Sequence, residues 1–236
     1  MTPGTSSDSG AVRFGGVGVG HYDVILALFC GLLLISNVAA TKLIEIGGLP
    51  LVGSVITDGG ALLFPLTYVL GDVLAEVYGL RRTHRAIALG FVLAALMSLT
   101  FLLVDAAPPA SSWPYADAWH AVLGFVPRIV LASLAGYVAG QLLNAHVLVW
   151  LKRRTRGRGL GARLVTSTLV GELADTVVFC LVAFGPVAAL LDGFSLPWPE
   201  LLNYIVVGWL FKCLVEIALL PVTYRVIAWV GRREPG

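Results

Sequence analysis

Charge is what this 236-residue sequence has least of. Asp, Glu, Lys and Arg together make up 13% of it, against about 25% in soluble domains. With 58% hydrophobic residues and a mean hydropathy of +0.88, a 25.0 kDa chain has too little polar surface to cover a globule in water. The net charge is only +2 and the basic residues are not gathered on one face, which argues against a nucleic-acid partner. Cysteine is scarce as well. Cys30, Cys180 and Cys213 each lie in an apolar run without CxxC or Cys/His spacing, so neither a disulfide framework nor a metal site is expected. The sequence also lacks HExxH, GxSxG, a Walker loop and a Gly-rich nucleotide turn. An ATP-driven pump made of this chain alone is thereby excluded, and no nucleophile–base pair or cofactor site marks an enzyme.

What the sequence does have is long apolar runs. A helix needs about 20 apolar residues to cross about 30 Å of hydrocarbon. Six stretches qualify: Tyr22–Ala40, Gly60–Tyr78, Ala86–Val104, Ala121–Trp150, Leu164–Leu191 and Leu201–Trp229. The runs are continuous rather than alternating, so strands of a lipid-facing barrel do not fit. Residues 1–20 read as a flexible Gly/Ser-rich tail, 21–230 as one transmembrane domain and 231–236 as a short tail. Arg81, Arg82 and Arg85 fall in one loop, and Lys152, Arg153, Arg154, Arg156, Arg158 and Arg163 in another. The 105–118 and 191–200 loops have neither Lys nor Arg. The expected fold is therefore all-α: a polytopic membrane protein with six transmembrane helices and both termini cytoplasmic.

Topology leaves a second set of charges unexplained. Lys42, Arg128 and Lys212, and the acids Asp72, Glu76, Glu172, Asp175 and Glu216, sit in or beside the apolar spans. A charge at the bilayer centre costs about 2.5–3.5 kcal/mol on insertion scales, so it marks a site or a tie between helices. Asp72 and Glu76 are four apart, and Glu172 and Asp175 three apart, so each pair shares a helix face. Lys212 is spaced to pair with Glu216 on its own helix, and Arg128 to snorkel toward an interface. Gln141 and Asn144 put two amides on one face of the fourth span, and Asn37 is a further buried amide. Gly136 and Gly140 form a GxxxG pair suited to close helix packing. His146 reads as interfacial. A faint echo between Gly71-Asp72…Glu76 and Gly171-Glu172…Asp175 hints at inverted three-helix halves with a site between them. A transporter of a small polar ligand fits these features best.

Several ordered motifs resemble one family. They are Asn37-Val-Ala-Ala-Thr-Lys42, Phe64-Pro65, Gly71-Asp72-x-x-x-Glu76-Val-Tyr78-Gly79, and Arg128 through Ser133, Tyr137, Gly140-Gln141, Asn144 and His146. Ser167-Thr168, Gly171-Glu172-x-x-Asp175-Thr176-x-x-Phe179, Lys212 and Pro221-x-Thr-Tyr224 continue the pattern. Over residues 22–230 the chain resembles the vitamin-uptake-transporter-like family (VUT, also called YhhQ). That resemblance implies import of queuosine precursors, 7-cyano- and 7-aminomethyl-7-deazaguanine, for salvage into tRNA. It suggests a substrate site drawn from Asn37, Asp72, Glu76, Arg128, Gln141, Asn144, Glu172, Asp175 and Lys212. Glu172 or Asp175 would accept from the guanine-like N–H edge, Asp72 or Glu76 would face an aminomethyl cation, and Gln141 and Asn144 would read the carbonyl or cyano group. Tyr68, Tyr137 or Phe179 would stack on the ring. Three alternatives stay open at this point: a substrate-binding subunit of a multi-component vitamin importer, uptake of another vitamin-like molecule, and a non-transporting membrane protein. The importer-subunit alternative would need energising partner subunits, and a homo-oligomer is compatible with any of them.

Overall fold

The computed structural model of the chain describes residues 20–49, 53–156, 160–192 and 195–233. Most of the expected N-terminal tail, the last three residues and 157–159 of the longer basic loop lie outside them. Helix α1 (Tyr22–Ala39) leads into an antiparallel hairpin, β1 (Leu43–Leu49) and β2 (Gly53–Asp58), and a 3-10 turn (Gly59–Leu62). Helices α2 (Phe64–Asp105), α3 (Ala116–Leu123), α4 (Val126–Arg154), α5 (Leu160–Ala183), α6 (Pro186–Asp192) and α7 (Trp198–Gly231) follow. Hydrocarbon offers backbone amides no water, so uninterrupted Leu, Val and Ala runs close their hydrogen bonds internally as helix. Among the described residues, five helical segments are long and apolar enough to cross a membrane: Tyr22–Ala39, Pro65–Asp105, Ala116–Arg154, Val165–Ala188 and Trp198–Gly231. Large apolar side chains such as Leu96, Leu99, Leu103, Val206, Leu214 and Ile217 point outward, as a lipid-facing surface requires. The chain is a multi-pass membrane protein.

Helix α2 takes in two of the expected spans. Its 42 residues would make a straight rod of about 63 Å, twice the hydrocarbon thickness of about 30 Å. The rod is broken at Gly79, where φ is 77° and ψ 166°, a conformation glycine adopts without a Cβ penalty. Beyond the break, the Thr83 hydroxyl donates to the Gly79 carbonyl at 3.1 Å. The Tyr22 hydroxyl donates to the Arg82 carbonyl at 3.2 Å, and the Arg82 guanidinium lies 5.5 Å from the centre of the Tyr22 ring. The expected fourth span starts across a second break, Gly124–Phe125, between α3 and α4. Pro127 sits in the first turn of α4, where its missing N–H removes no helix bond.

The hairpin has no counterpart among the expected spans. Leu43 faces Asp58, Ile44 faces Thr57 and Glu45 faces Ile56, with an irregularity between Ile46 and Leu49. A two-stranded hairpin is marginal alone, and here α7 supplies the missing edge. The Asn203 amide donates to the Ser54 carbonyl at 3.0 Å, and its carbonyl accepts from the Ile56 N–H at 3.0 Å. Below the hairpin lies a buried cluster that includes Ala40, Ile129, Cys180, Phe184, Leu201 and Tyr204. A second cluster, built on Ile25, Val73, Leu74, Ala86 and Val230, closes the opposite, arginine-rich end. Beside the first cluster, whose Ala40, Cys180 and Tyr204 border it, the bundle is hollow.

Candidate functional site

The hollow is a cavity of about 290 Å³, close to the lower end of the roughly 300–1,000 Å³ usual for small-molecule sites. Helical periodicity explains its lining. Leu33, Ser36 and Asn37 form one face of α1, continued by Ala40 at its C-terminal cap, and Ser133, Tyr137, Gly140, Gln141 and Asn144 a stripe on α4. Thr168, Gly171, Glu172, Asp175, Thr176 and Phe179 do the same on α5, and Tyr204, Gly208, Phe211 and Lys212 on α7. Each set recurs at three- and four-residue steps, which stacks side chains on one helix face.

Glycines set the closeness of α4 and α5, the most extensively packed helix pair. A Cβ at Gly140 would stand 2.9 Å from both the Asp175 Cβ and the Gly171 carbonyl oxygen. One at Gly171 would stand 2.8 Å from the Asn144 Cβ, and one at Gly136 would stand 2.8 Å from the Asp175 carbonyl oxygen. The GxxxG pair therefore packs helices, as its spacing suggested, and the approach holds Asn144 beside Glu172 and Asp175.

The charges in the cavity are unbalanced. Three carboxyls, Asp58, Glu172 and Asp175, share the lining with one ammonium, Lys212. Lys212 reaches across from α7 and donates to Asp175 Oδ2, with Glu172 Oε2 at 3.7 Å. Its side chain is only 12% exposed. The Lys212–Glu216 pair expected from spacing is thus replaced by a cross-helix one: Lys212 turns into the cavity while Glu216 stays on the exposed side of α7. Asn37 is buried, donates to the Leu33 carbonyl at 2.9 Å and accepts from the Ser133 hydroxyl at 3.1 Å. The Asn144 carbonyl oxygen is buried and has no hydrogen-bond partner among the described residues, a cost of about 1–3 kcal/mol that a ligand donor would relieve.

Three of the expected site residues stand apart from the cavity. Asp72 and Glu76 are exposed on α2. They lie on a flank where Asp72, like Glu172, comes within electrostatic reach of Glu216. Arg128 does not snorkel. It is buried at the hairpin end, donates to the Ala188 carbonyl at 3.4 Å and lies 3.8 Å from the centre of the Phe125 ring, tying α4 to α6. Of the aromatics proposed to stack, Tyr137 and Phe179 line the cavity, and the side chain of Tyr68 lies outside the described set. His146 is exposed on α4, outside the cavity lining.

Asp58, Asn203 and Tyr204 escaped the sequence reading. Asp58 caps the 3-10 turn, accepting from the Gly60 N–H at 2.6 Å and the Ala61 N–H at 3.2 Å, and it also accepts from the Tyr204 hydroxyl. Burial pushes its carboxyl above the ordinary value, while these donors pull the other way. The signal in the sequence was Asp58-Gly59-Gly60 after an alternating Val-Ile-Thr run, which reads as a strand ending in a cap.

Membrane-length helices around an acid-rich cavity define a multi-pass membrane protein with a candidate small-molecule site. Residues 58–226 match the family described as "Putative vitamin uptake transporter", and the chain belongs to that family. It is 33% identical over 152 residues to the "Probable queuosine precursor transporter" of Bacillus subtilis (strain 168), a match spanning 63% of each chain. It is 28% identical over 173 residues to the "Queuosine precursor transporter" of Escherichia coli (strain K12), 72% of each chain. A relative in Haemophilus influenzae, also named "Probable queuosine precursor transporter", is 28% identical over 175 residues, covering 74% of this chain and 70% of its own. No solved structure matches the chain.

Proposed function

We propose that this chain, acting as a transporter and not as an enzyme, imports 7-deazaguanine precursors of queuosine through the cavity between α1, α4, α5 and α7. The observation that carries the reading is the cluster of Glu172, Asp175 and the unsatisfied Asn144 carbonyl where α4 and α5 line the cavity. A guanine-like edge carries a ring N–H next to an exocyclic amine. A carboxylate accepts two such adjacent donors at once, which gives geometric specificity as well as energy. Gln141 and Asn144 supply amides for the ring carbonyl and the 7-substituent, and Tyr137 and Phe179 supply apolar faces for the ring. The names of the relatives point to the same substrate class. In bacteria that neither make nor import 7-deazaguanines, expressing this chain should restore queuosine in tRNA at nanomolar external precursor. No restoration, with the protein confirmed in the membrane, would reject the reading in favour of another vitamin-like ligand or a missing partner subunit.

The break at Gly79 supports counting α2 as two crossings, six in all, with both termini and both basic loops cytoplasmic and the hairpin outside. A reporter that is active only in the cytoplasm should then work at either terminus and at residue 80, and should fail when inserted between Gly47 and Gly53.

A further inference from the structure

We infer that Lys212 is a tethered competitor of the transported ligand: it occupies Glu172 and Asp175 in the empty cavity and is displaced by the ligand's donor edge. The inference rests on the proposed function, because it assigns Lys212 its part in that site. The chain has only three lysines, and Lys212 alone lines the cavity. The Glu172 and Asp175 side chains are 22% and 25% exposed, and carboxylates withdrawn that far from water are costly without a cation beside them. A cavity lined by three carboxyls is stabilised by a cation among them. Lysine suits a displaceable one. Its ammonium sits on a flexible four-carbon stem and donates in three directions, whereas arginine would hold a carboxylate with a planar two-bond fork.

The ammonium also has somewhere to go. Asp58 lies within its electrostatic reach and borders the same cavity on the hairpin side. Lys212 can thus leave the α5 acids without becoming an unpaired buried charge. In this arrangement ligand entry exchanges one set of donors on Glu172 and Asp175 for another. Ligand exit is assisted by the lysine returning, which keeps the site from becoming a trap.

Binding of 7-cyano- and 7-aminomethyl-7-deazaguanine to the purified full chain in detergent tests this. Lys212→Gln should bind both ligands more tightly, by about ten-fold for the neutral cyano compound, the scale of one charge-assisted hydrogen bond. The gain should be larger for the aminomethyl cation, while uptake falls because release slows. Lys212→Arg should weaken binding of both by about ten-fold, since its fork holds the acids harder. Weaker binding in Lys212→Gln would make the lysine a direct ligand contact, and unchanged binding a bystander; either overturns the inference. Should Lys212→Gln not fold, unchanged or tighter binding by Lys212→Arg overturns it just as well. A wild-type chain that binds neither compound would defeat the proposed function itself and take this inference with it. With wild-type binding intact, a wrong response of the variants defeats the inference alone.

Discussion

Glu172→Gln should cut uptake of 7-deazaguanine precursors by about ten-fold or more, because a ligand hydrogen bond to a charged group contributes about 1.5–3 kcal/mol. The substitution keeps the shape of the side chain but turns one of its two acceptor oxygens into a donor. That donor would face Lys212, 3.7 Å from the present carboxylate oxygen, and the N–H edge of the ligand. Asp175→Asn should act in the same direction, since it faces the same ammonium. Asp72→Asn should change uptake far less, because Asp72 is exposed on α2 away from the cavity. Initial uptake rates in cells, normalised to membrane-inserted protein, are the readout. Wild-type rates for Glu172→Gln and Asp175→Asn together would remove the α5 acids from the site.

Gly171→Leu should have the largest effect on stability. The first added atom alone would sit 2.8 Å from the Asn144 Cβ and 3.0 Å from the Gly140 carbonyl oxygen, and both are parts of a neighbouring helix that cannot move singly. Overpacking costs about 1–3 kcal/mol even in cores that can adjust. Between membrane helices, close approach is itself the source of the attraction. The expected loss is on the order of 5–10 °C in thermal unfolding of the purified protein, taking about 2–4 °C per kcal/mol for a chain of this size. Uptake should be abolished, because Asn144 and Glu172 are carried by the two helices forced apart. Gly71→Ala is the control: a Cβ there meets nothing within 4 Å and should leave stability within about 1 kcal/mol of wild type. Equal unfolding temperatures for Gly171→Leu and Gly71→Ala would show that the α4–α5 contact does not hold the bundle together.

How far the sequence went depended on how local each signal was. Membrane helices were legible because their signal, a long apolar run, is contained in the segment itself. The α5 face was legible for the same reason: Glu172, Asp175, Thr176 and Phe179 recur at helical spacing, and all four line the cavity. Pairings between distant segments were not. Tyr204 and Asp58 are 146 residues apart, and Asn203 completes a hairpin edge from as far away. Lys212 shows how a local rule fails. Four-residue spacing offers Glu216, but the interior acids on α5 gain more from the cation than an exposed acid does. Asp72 and Glu76 have the same spacing signature as a buried pair, and only the packing of α2 against α7 places them outside the cavity. The hairpin is not legible as an apolar run, because strands of six or seven residues fall far short of the about 20 residues of a membrane-crossing helix.

The most direct test of the central claim is accumulation of labelled 7-cyano-7-deazaguanine by liposomes containing this purified chain and no other protein. Accumulation above that of empty liposomes, suppressed by unlabelled 7-aminomethyl-7-deazaguanine and about ten-fold or more slower with Glu172→Gln, is the predicted result. Uptake no faster than into empty liposomes, with the chain folded and inserted, would contradict the claim that one chain and one cavity carry these precursors across the membrane.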